Sequence, residues 1–151
     1  MKLAIASDHG GRKLKKAIRL HLLEKGLSVR DFGVGDDVER ADYPDYAQTV
    51  SEAVVAGQFD MAILVCGTGL GMAIAANKVK GIRAVTCTDE FMSRMARAHN
   101  NANILTLGER VLGPGLAIAI VDAFLETPFE GGRHQDRLNK IAGLGPDPTS
   151  G

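Results

Sequence analysis

Cys66 stands where a continuous apolar run, Met61 to Val65, gives way to the turn Cys66-Gly67-Thr68-Gly69-Leu70-Gly71. Three alternating glycines at the start of a helix bare successive backbone amides, which suit an anion, either a phosphate or a transient oxyanion. A cysteine between a buried strand and a helix start is a candidate thiolate, able to serve as nucleophile or base. The turn is not a P-loop, because no Gly-Lys-Ser/Thr follows at the required spacing, and Met72 occupies the place of the third glycine of G-x-G-x-x-G. Taken alone it also fits a plain tight connection. Cys87 has no glycine turn after it and reads as a small buried apolar residue. Two cysteines are too few for a disulfide framework and no Cys/His cluster has zinc-ligand spacing, so both thiols are expected to be free.

Other chemistry-bearing residues follow the remaining apolar runs: Ser7-Asp8-His9-Gly10-Gly11 after the first, Cys87-Thr88-Asp89 after the fourth and Gly108-Glu109-Arg110 after the fifth. His99-Asn100-Asn101 instead precedes the fifth run, at a helix end, and need not lie on the same rim of its own subunit. Arg133 and Arg137, four apart, share a helix face and suit a bidentate grip on phosphate, although such a pair also fits a solvated face. Gly131-Gly132 just before them permits close approach of another chain. His21 lies on a helix, and His134 falls between the two arginines. The basic run Arg12, Lys13, Lys15, Lys16 and Arg19 is expected to be a solvated helix face. Asp31, Asp36, Asp37, Glu39 and Asp42 lack a cation-loop pattern and are expected at the loop surface.

These residues must be positioned by an alternation of short apolar runs and helical patterns. Strands are expected at Lys2 to Ser7, Leu27 to Phe32, Met61 to Val65, Ile82 to Thr86 and Ile104 to Leu107. Helices are expected at Arg12 to Lys25, Pro44 to Ala56, Leu70 to Lys78, Asp89 to Ala98 and Pro114 to Leu125, with a short one from Arg133 to Ile141. Continuous apolar strands separated by helices predict an α/β fold, a three-layer α/β/α sandwich around a Rossmann-like five-stranded parallel sheet with an extra C-terminal helix. Residues 1–142 are expected to form a single domain, with 143–151 a flexible tail. Eighteen basic residues balance eighteen acidic ones, which excludes a field for gathering nucleic acid or coating an anionic membrane. No run approaches the length needed to span a bilayer, and a soluble cytoplasmic protein is expected.

Several motifs agree in order over nearly the whole chain. They are Ser7-Asp8-His9-Gly10-Gly11, Asp42-Tyr43-Pro44, the Cys66 to Gly71 turn with Ala75-Ala76-Asn77-Lys78, Gly81-Ile82-Arg83-Ala84, His99-Asn100 with Asn103, and Gly131-Gly132-Arg133-His134 with Arg137. Together they resemble the B-type ribose-5-phosphate isomerases, whose wider family includes galactose-6-phosphate isomerase subunits and tetrulose-phosphate isomerases.

The resemblance implies interconversion of ribose 5-phosphate and ribulose 5-phosphate through an enediolate, a step of the pentose phosphate pathway, without metal or cofactor. Cys66 matches the family's catalytic base, and the amides of Gly67, Gly69, Leu70 and Gly71 match the hole for the enediolate. His99 matches the acid that opens the sugar ring, and Thr68, counted with the catalytic residues, lines the site with Tyr43. Asp8 and Asn100 match contacts to substrate hydroxyls, and His9, Arg110, Arg133 and Arg137 match the phosphate grip. The family's sites form between two subunits, so a homodimer or homotetramer is implied. Some members carry serine at the cysteine's place and an acidic base nine positions later; Cys66 and Ala75 put this chain with the cysteine users. The alternatives are an isomerase of galactose 6-phosphate, allose 6-phosphate or tetrulose 4-phosphate, a cysteine hydrolase, or a non-catalytic phosphate-binding module.

Overall fold

The computed structural model describes residues 1–145. Strands β1 (Lys2–Ser7), β3 (Met61–Cys66) and β5 (Ile104–Gly108) are buried along almost their whole length, as continuous apolar runs require when both faces of a sheet are covered. The shorter β2 (Ser28–Asp31) and β4 (Ala84–Thr86) occupy the two edges. All pairings are parallel and the order is β2-β1-β3-β5-β4.

Side chains alternate between two layers because successive residues of a strand point to opposite faces. Leu3, Ile5, Ile63, Val65, Leu105 and Leu107 pack against α1 (Arg12–Glu24), α4 (Glu90–Ala98) and α5 (Pro114–Glu126). Ala4, Ala6, Ala62, Leu64 and Cys66 meet α2 (Tyr43–Val55) and α3 (Leu70–Ala76) on the other face. The expected three-layer sandwich with a five-stranded parallel sheet is therefore present, and α6 (Arg133–Ala142) is the extra C-terminal helix. No helix among the described residues is long and apolar enough to cross a membrane. Of the expected tail, Gly143 caps α6, while residues 146–151 lie outside the described residues.

Three details depart from the sequence reading. A 3-10 turn, His9–Gly11, precedes α1, capped by the Asp8 carboxylate, which accepts from the Gly10 amide at 2.8 Å. Helix α3 ends at Ala76 instead of Lys78, and the Asn77 side chain then donates to Ala84 O and accepts from Ala84 N, both at 2.8 Å, acting as one more strand partner for edge strand β4. The basic face of α1 is not wholly solvated. Lys15 is only 5% exposed, its Nζ lying 2.8 Å from Asp31 on β2 and donating to Val34 O at 3.0 Å, so a buried cation found its partners on β2 and in the loop that follows it.

Helices α1 and α5 are tied by a charge cluster in which His21 and Lys25 face Asp122, at 2.9 and 3.0 Å. Burial pushes the Asp122 carboxyl up, but hydrogen bonds from His21 and Lys25 and their charges outweigh it, leaving it below the ordinary carboxylate range. A group so depressed adds stability that is full above about pH 4 and lost as the pH falls through its folded-state value. Asp122→Asn should therefore cost about 1 kcal/mol in urea unfolding at pH 7, with the difference from the parent shrinking towards pH 3. A cost that is the same at both pH values would contradict the ionic assignment.

Candidate active site

The sheet order decides where a crevice opens. β1 and β5 flank β3, and the helices that follow them, α1 and α5, lie on one face, whereas α3, which follows β3, lies on the other. Both neighbours thus lead away from β3 at its carboxyl end, and such reversals are where α/β sheets hold ligands. Cys66 is the last residue of β3, 5% exposed.

The glycine turn folds back over that thiol. Gly69 adopts a left-handed conformation, φ 82°, as the N-cap of α3, and this aims its amide at Cys66 Sγ, 3.1 Å away. An N–H directed at the sulfur supports negative charge there. Leu70 N–H turns onto Thr68 Oγ1 at 3.3 Å. Two of the amides expected to lie bare are thus engaged within the turn. At Gly71 a Cβ would lie 2.7 Å from the Tyr43 ring, so the glycine is what admits the tyrosine to the edge of the turn.

Both flanking strands add polar groups to this rim. After β1, Asp8 is buried, and the Nδ1 atom of exposed His9 lies 3.1 Å from Ala41 O and 3.2 Å from Ala41 N. After β5, the amides of Glu109 and Arg110 donate to Cys66 O and Gly67 O at 2.9 and 3.0 Å, and the Arg110 guanidinium stem runs across the open face of Gly67. The Glu109 carboxylate accepts from Leu14 N at 2.9 Å, tying this loop to the first turn of α1, a contact that no local spacing announced. The rim therefore gathers Asp8, His9, Tyr43, Cys66, Gly67, Thr68, Gly69, Leu70, Gly71 and Arg110.

His99, Asn100, Arg133 and Arg137 are not among them. His99 caps the C-terminal end of α4, and Asn103, four residues on, accepts from Ala62 N at the start of β3. Ala62 pairs with Ile104 and Cys66 with Gly108, so four strand residues, about 13 Å at the usual rise, separate that end of the sheet from Cys66. α6 lies at the same end as His99: the His134 and His99 rings stack with centroids 4.2 Å apart and planes within 10°. His134 and Leu138 form the buried stripe of α6, and Arg133 and Arg137 stand exposed beside it. Leu138 and Asn100 also line a groove of about 680 Å³ next to the edge strand β4. One chain thus carries the expected site residues in two groups at opposite ends of its sheet.

The chain matches the family model described as Ribose/Galactose Isomerase over residues 3–141. It belongs to that family. It is 48% identical over 143 residues to ribose-5-phosphate isomerase B of Escherichia coli, covering 95% of each chain. Its fold superposes on the structure of Clostridium thermocellum ribose-5-phosphate isomerase B with a TM-score of 0.92 and 54% identity, covering 94% of this chain and 95% of that one. It also superposes on ribose-5-phosphate isomerase B from Mycoplasma genitalium with bound ribulose-5-phosphate, with a TM-score of 0.89, 46% identity and 93% of each chain covered.

Within this member of the isomerase family the two cysteines differ in kind. Both are free, as expected. Cys87 lies in the opposite layer, and burial, reinforced by the Asp89 carboxylate, pushes its thiol up to about 11, which keeps it protonated at neutral pH. Among the described residues, His99, Glu130 and His134 bring potential metal-ligand atoms within 4.8 Å of one another. Their parallel stacked rings, however, direct the in-plane nitrogen lone pairs along separate planes instead of to a common centre.

Proposed function

We propose that this chain interconverts ribose 5-phosphate and ribulose 5-phosphate by proton transfer through an enediolate, in sites built from two copies of the chain. The observation that carries the reading is the likeness, over 93% of both chains, to the structure with bound ribulose-5-phosphate. The crevice at Cys66 supplies the chemistry this reaction needs.

The Cys66 thiolate takes the proton from C2 of the open-chain aldose, and the electron pair left behind forms the C1–C2 double bond of the enediolate. The oxyanion that develops is held by the amides of Gly67 and Gly71, since those of Gly69 and Leu70 are engaged with Cys66 Sγ and Thr68 Oγ1, and Thr68 stands beside them. Transfer of the O2 proton to O1 and delivery of a proton to C1 complete the ketose. Asp8 binds a substrate hydroxyl and Tyr43 walls the crevice, while His9 and Arg110 face the phosphate.

A second copy brings the other half-site. Its His99 opens the ring, its Asn100 binds a hydroxyl, and its Arg133 and Arg137 close on the phosphate, a geometry for which the fork of arginine is suited. The separation of the two half-sites within one chain supports a homodimer or homotetramer over a monomer. A substrate carrying a phosphate does not cross a bilayer unaided, which fits an enzyme of the cytoplasm.

The test is turnover in deuterated water. Ribulose 5-phosphate formed from ribose 5-phosphate should carry deuterium at C1, and kcat/KM should exceed that for four- and six-carbon sugar phosphates. No deuterium at C1 even after many forward and reverse cycles at equilibrium would refute proton transfer through the enediolate, and a higher kcat/KM on another chain length would reassign the substrate.

A further inference from the structure

We propose that Glu130 is the positioning residue for His99, an inference that rests on the reading of His99 as the ring-opening acid. Glu130 lies in the connection between α5 and α6, and its backbone amide donates to Ala98 O at 3.0 Å. That bond fixes the connection to the last residue of α4, immediately before His99. From there the carboxylate reaches both imidazoles, Oε2 lying 3.4 Å from His134 Nε2 and 3.9 Å from His99 Nε2.

The two distances assign different tasks. His134 is 5% exposed and stacked flat against His99 at 4.2 Å, so it is a fixed floor that removes the tumbling freedom of the more exposed ring. At 3.9 Å the Glu130 carboxylate is too far to consume the His99 Nε2–H as a hydrogen bond, yet near enough to attract the positive charge His99 carries while it holds the proton. The Nε2–H thus stays free for a sugar ring oxygen, while the carboxylate beside that same nitrogen supports its positive charge and the stacked His134 ring holds its plane. Nothing in the local sequence pairs Glu130 with His99, thirty-one residues earlier.

Glu130→Gln keeps the shape and removes the charge. It should lower the initial rate from ribose 5-phosphate about tenfold, a usual loss when a supporting group is removed, with KM within about twofold and the rate from ribulose 5-phosphate nearly unchanged. Glu130→Asp, which restores a carboxylate one methylene shorter, should recover part of the loss, and His134→Phe, which keeps the stacked plane, should retain most of the parent rate. An unchanged aldose rate in Glu130→Gln, or an equal loss in both directions, overturns the proposal. His99→Ala in the same assay separates the two levels. A direction-selective loss in His99→Ala without one in Glu130→Gln refutes the role of Glu130 alone, whereas an equal loss in both directions in His99→Ala refutes the ring-opening reading beneath it.

Discussion

Cys66→Ala should lower isomerisation about 10³-fold or more in both directions, because removal of a positioned general base forfeits its whole contribution to proton transfer. The fold should survive. Cys66 is the last residue of β3 and its sulfur is enclosed by the turn, including the Gly69 amide at 3.1 Å, so the loss is one sulfur at a strand end and not a cavity among large core side chains. The expected cost is about 1 kcal/mol, a few degrees in melting temperature. Sugar-phosphate binding should persist, since the residues proposed to grip the phosphate, His9, Arg110, Arg133 and Arg137, are untouched. Cys87→Ser supplies the contrast: with its thiol pushed up to about 11 and its side chain in the other layer, it should keep most activity. Initial rates and thermal melts of both variants check this, and a dead Cys87→Ser beside an active Cys66→Ala would reverse the assignment. A trapped acyl-enzyme on Cys66 would instead mark a hydrolase.

His99→Ala should discriminate between the two directions of the reaction. Ribose 5-phosphate is mostly a closed furanose and must be opened before its C2 proton can leave, whereas ribulose 5-phosphate cannot close a furanose ring and offers its carbonyl directly. Near neutral pH an imidazole can give a proton to the ring oxygen and take one from the hydroxyl, so only the aldose direction needs it. The initial rate from ribose 5-phosphate should fall by about 10²-fold or more, towards the limit set by spontaneous ring opening, while the rate from ribulose 5-phosphate falls far less. The equilibrium constant is unaffected, because the released open-chain aldose closes in solution. Equal fractional losses in the two directions would place His99 on the enediolate or in the support of the fold.

The parts of this account that were legible in the sequence are those that local chemistry encodes. Continuous apolar strands closed by glycines marked β1, β3 and β5 within a residue, and Gly26 and Gly57, both with positive φ, stop α1 and α2 where their patterns ended. The Cys66 turn was visible because a thiol and alternating glycines follow a buried run. The edge strands were overread: Ile82 and Arg83 continue an apolar-looking run, but only Ala84–Thr86 find a ladder on β5, and β2 keeps four of six expected residues because it has one neighbour. That β5 and not β4 pairs with β3 is set by pairing between distant segments, which periodicity does not encode. Lys15 with Asp31, Glu109 with the Leu14 amide, and Glu130 with His99 and His134 are contacts between distant segments, invisible to periodicity. That His99 stands away from Cys66 was foreshadowed by its place at a helix end before β5.

The central claim is that catalysis joins the Cys66 end of one chain to the His99 end of another. Co-refolding differently tagged Cys66→Ala and His99→Ala chains, each at about 1% or less of the parental rate from ribose 5-phosphate, and isolating the mixed dimers tests it directly. A mixed dimer holds one site lacking both residues and one site with both intact, so it should regain about half the parental rate per dimer, as two-fold symmetry dictates. Mixed dimers that form and stay as inactive as their parents would show that Cys66 and His99 do not meet across the interface, and the account would be contradicted.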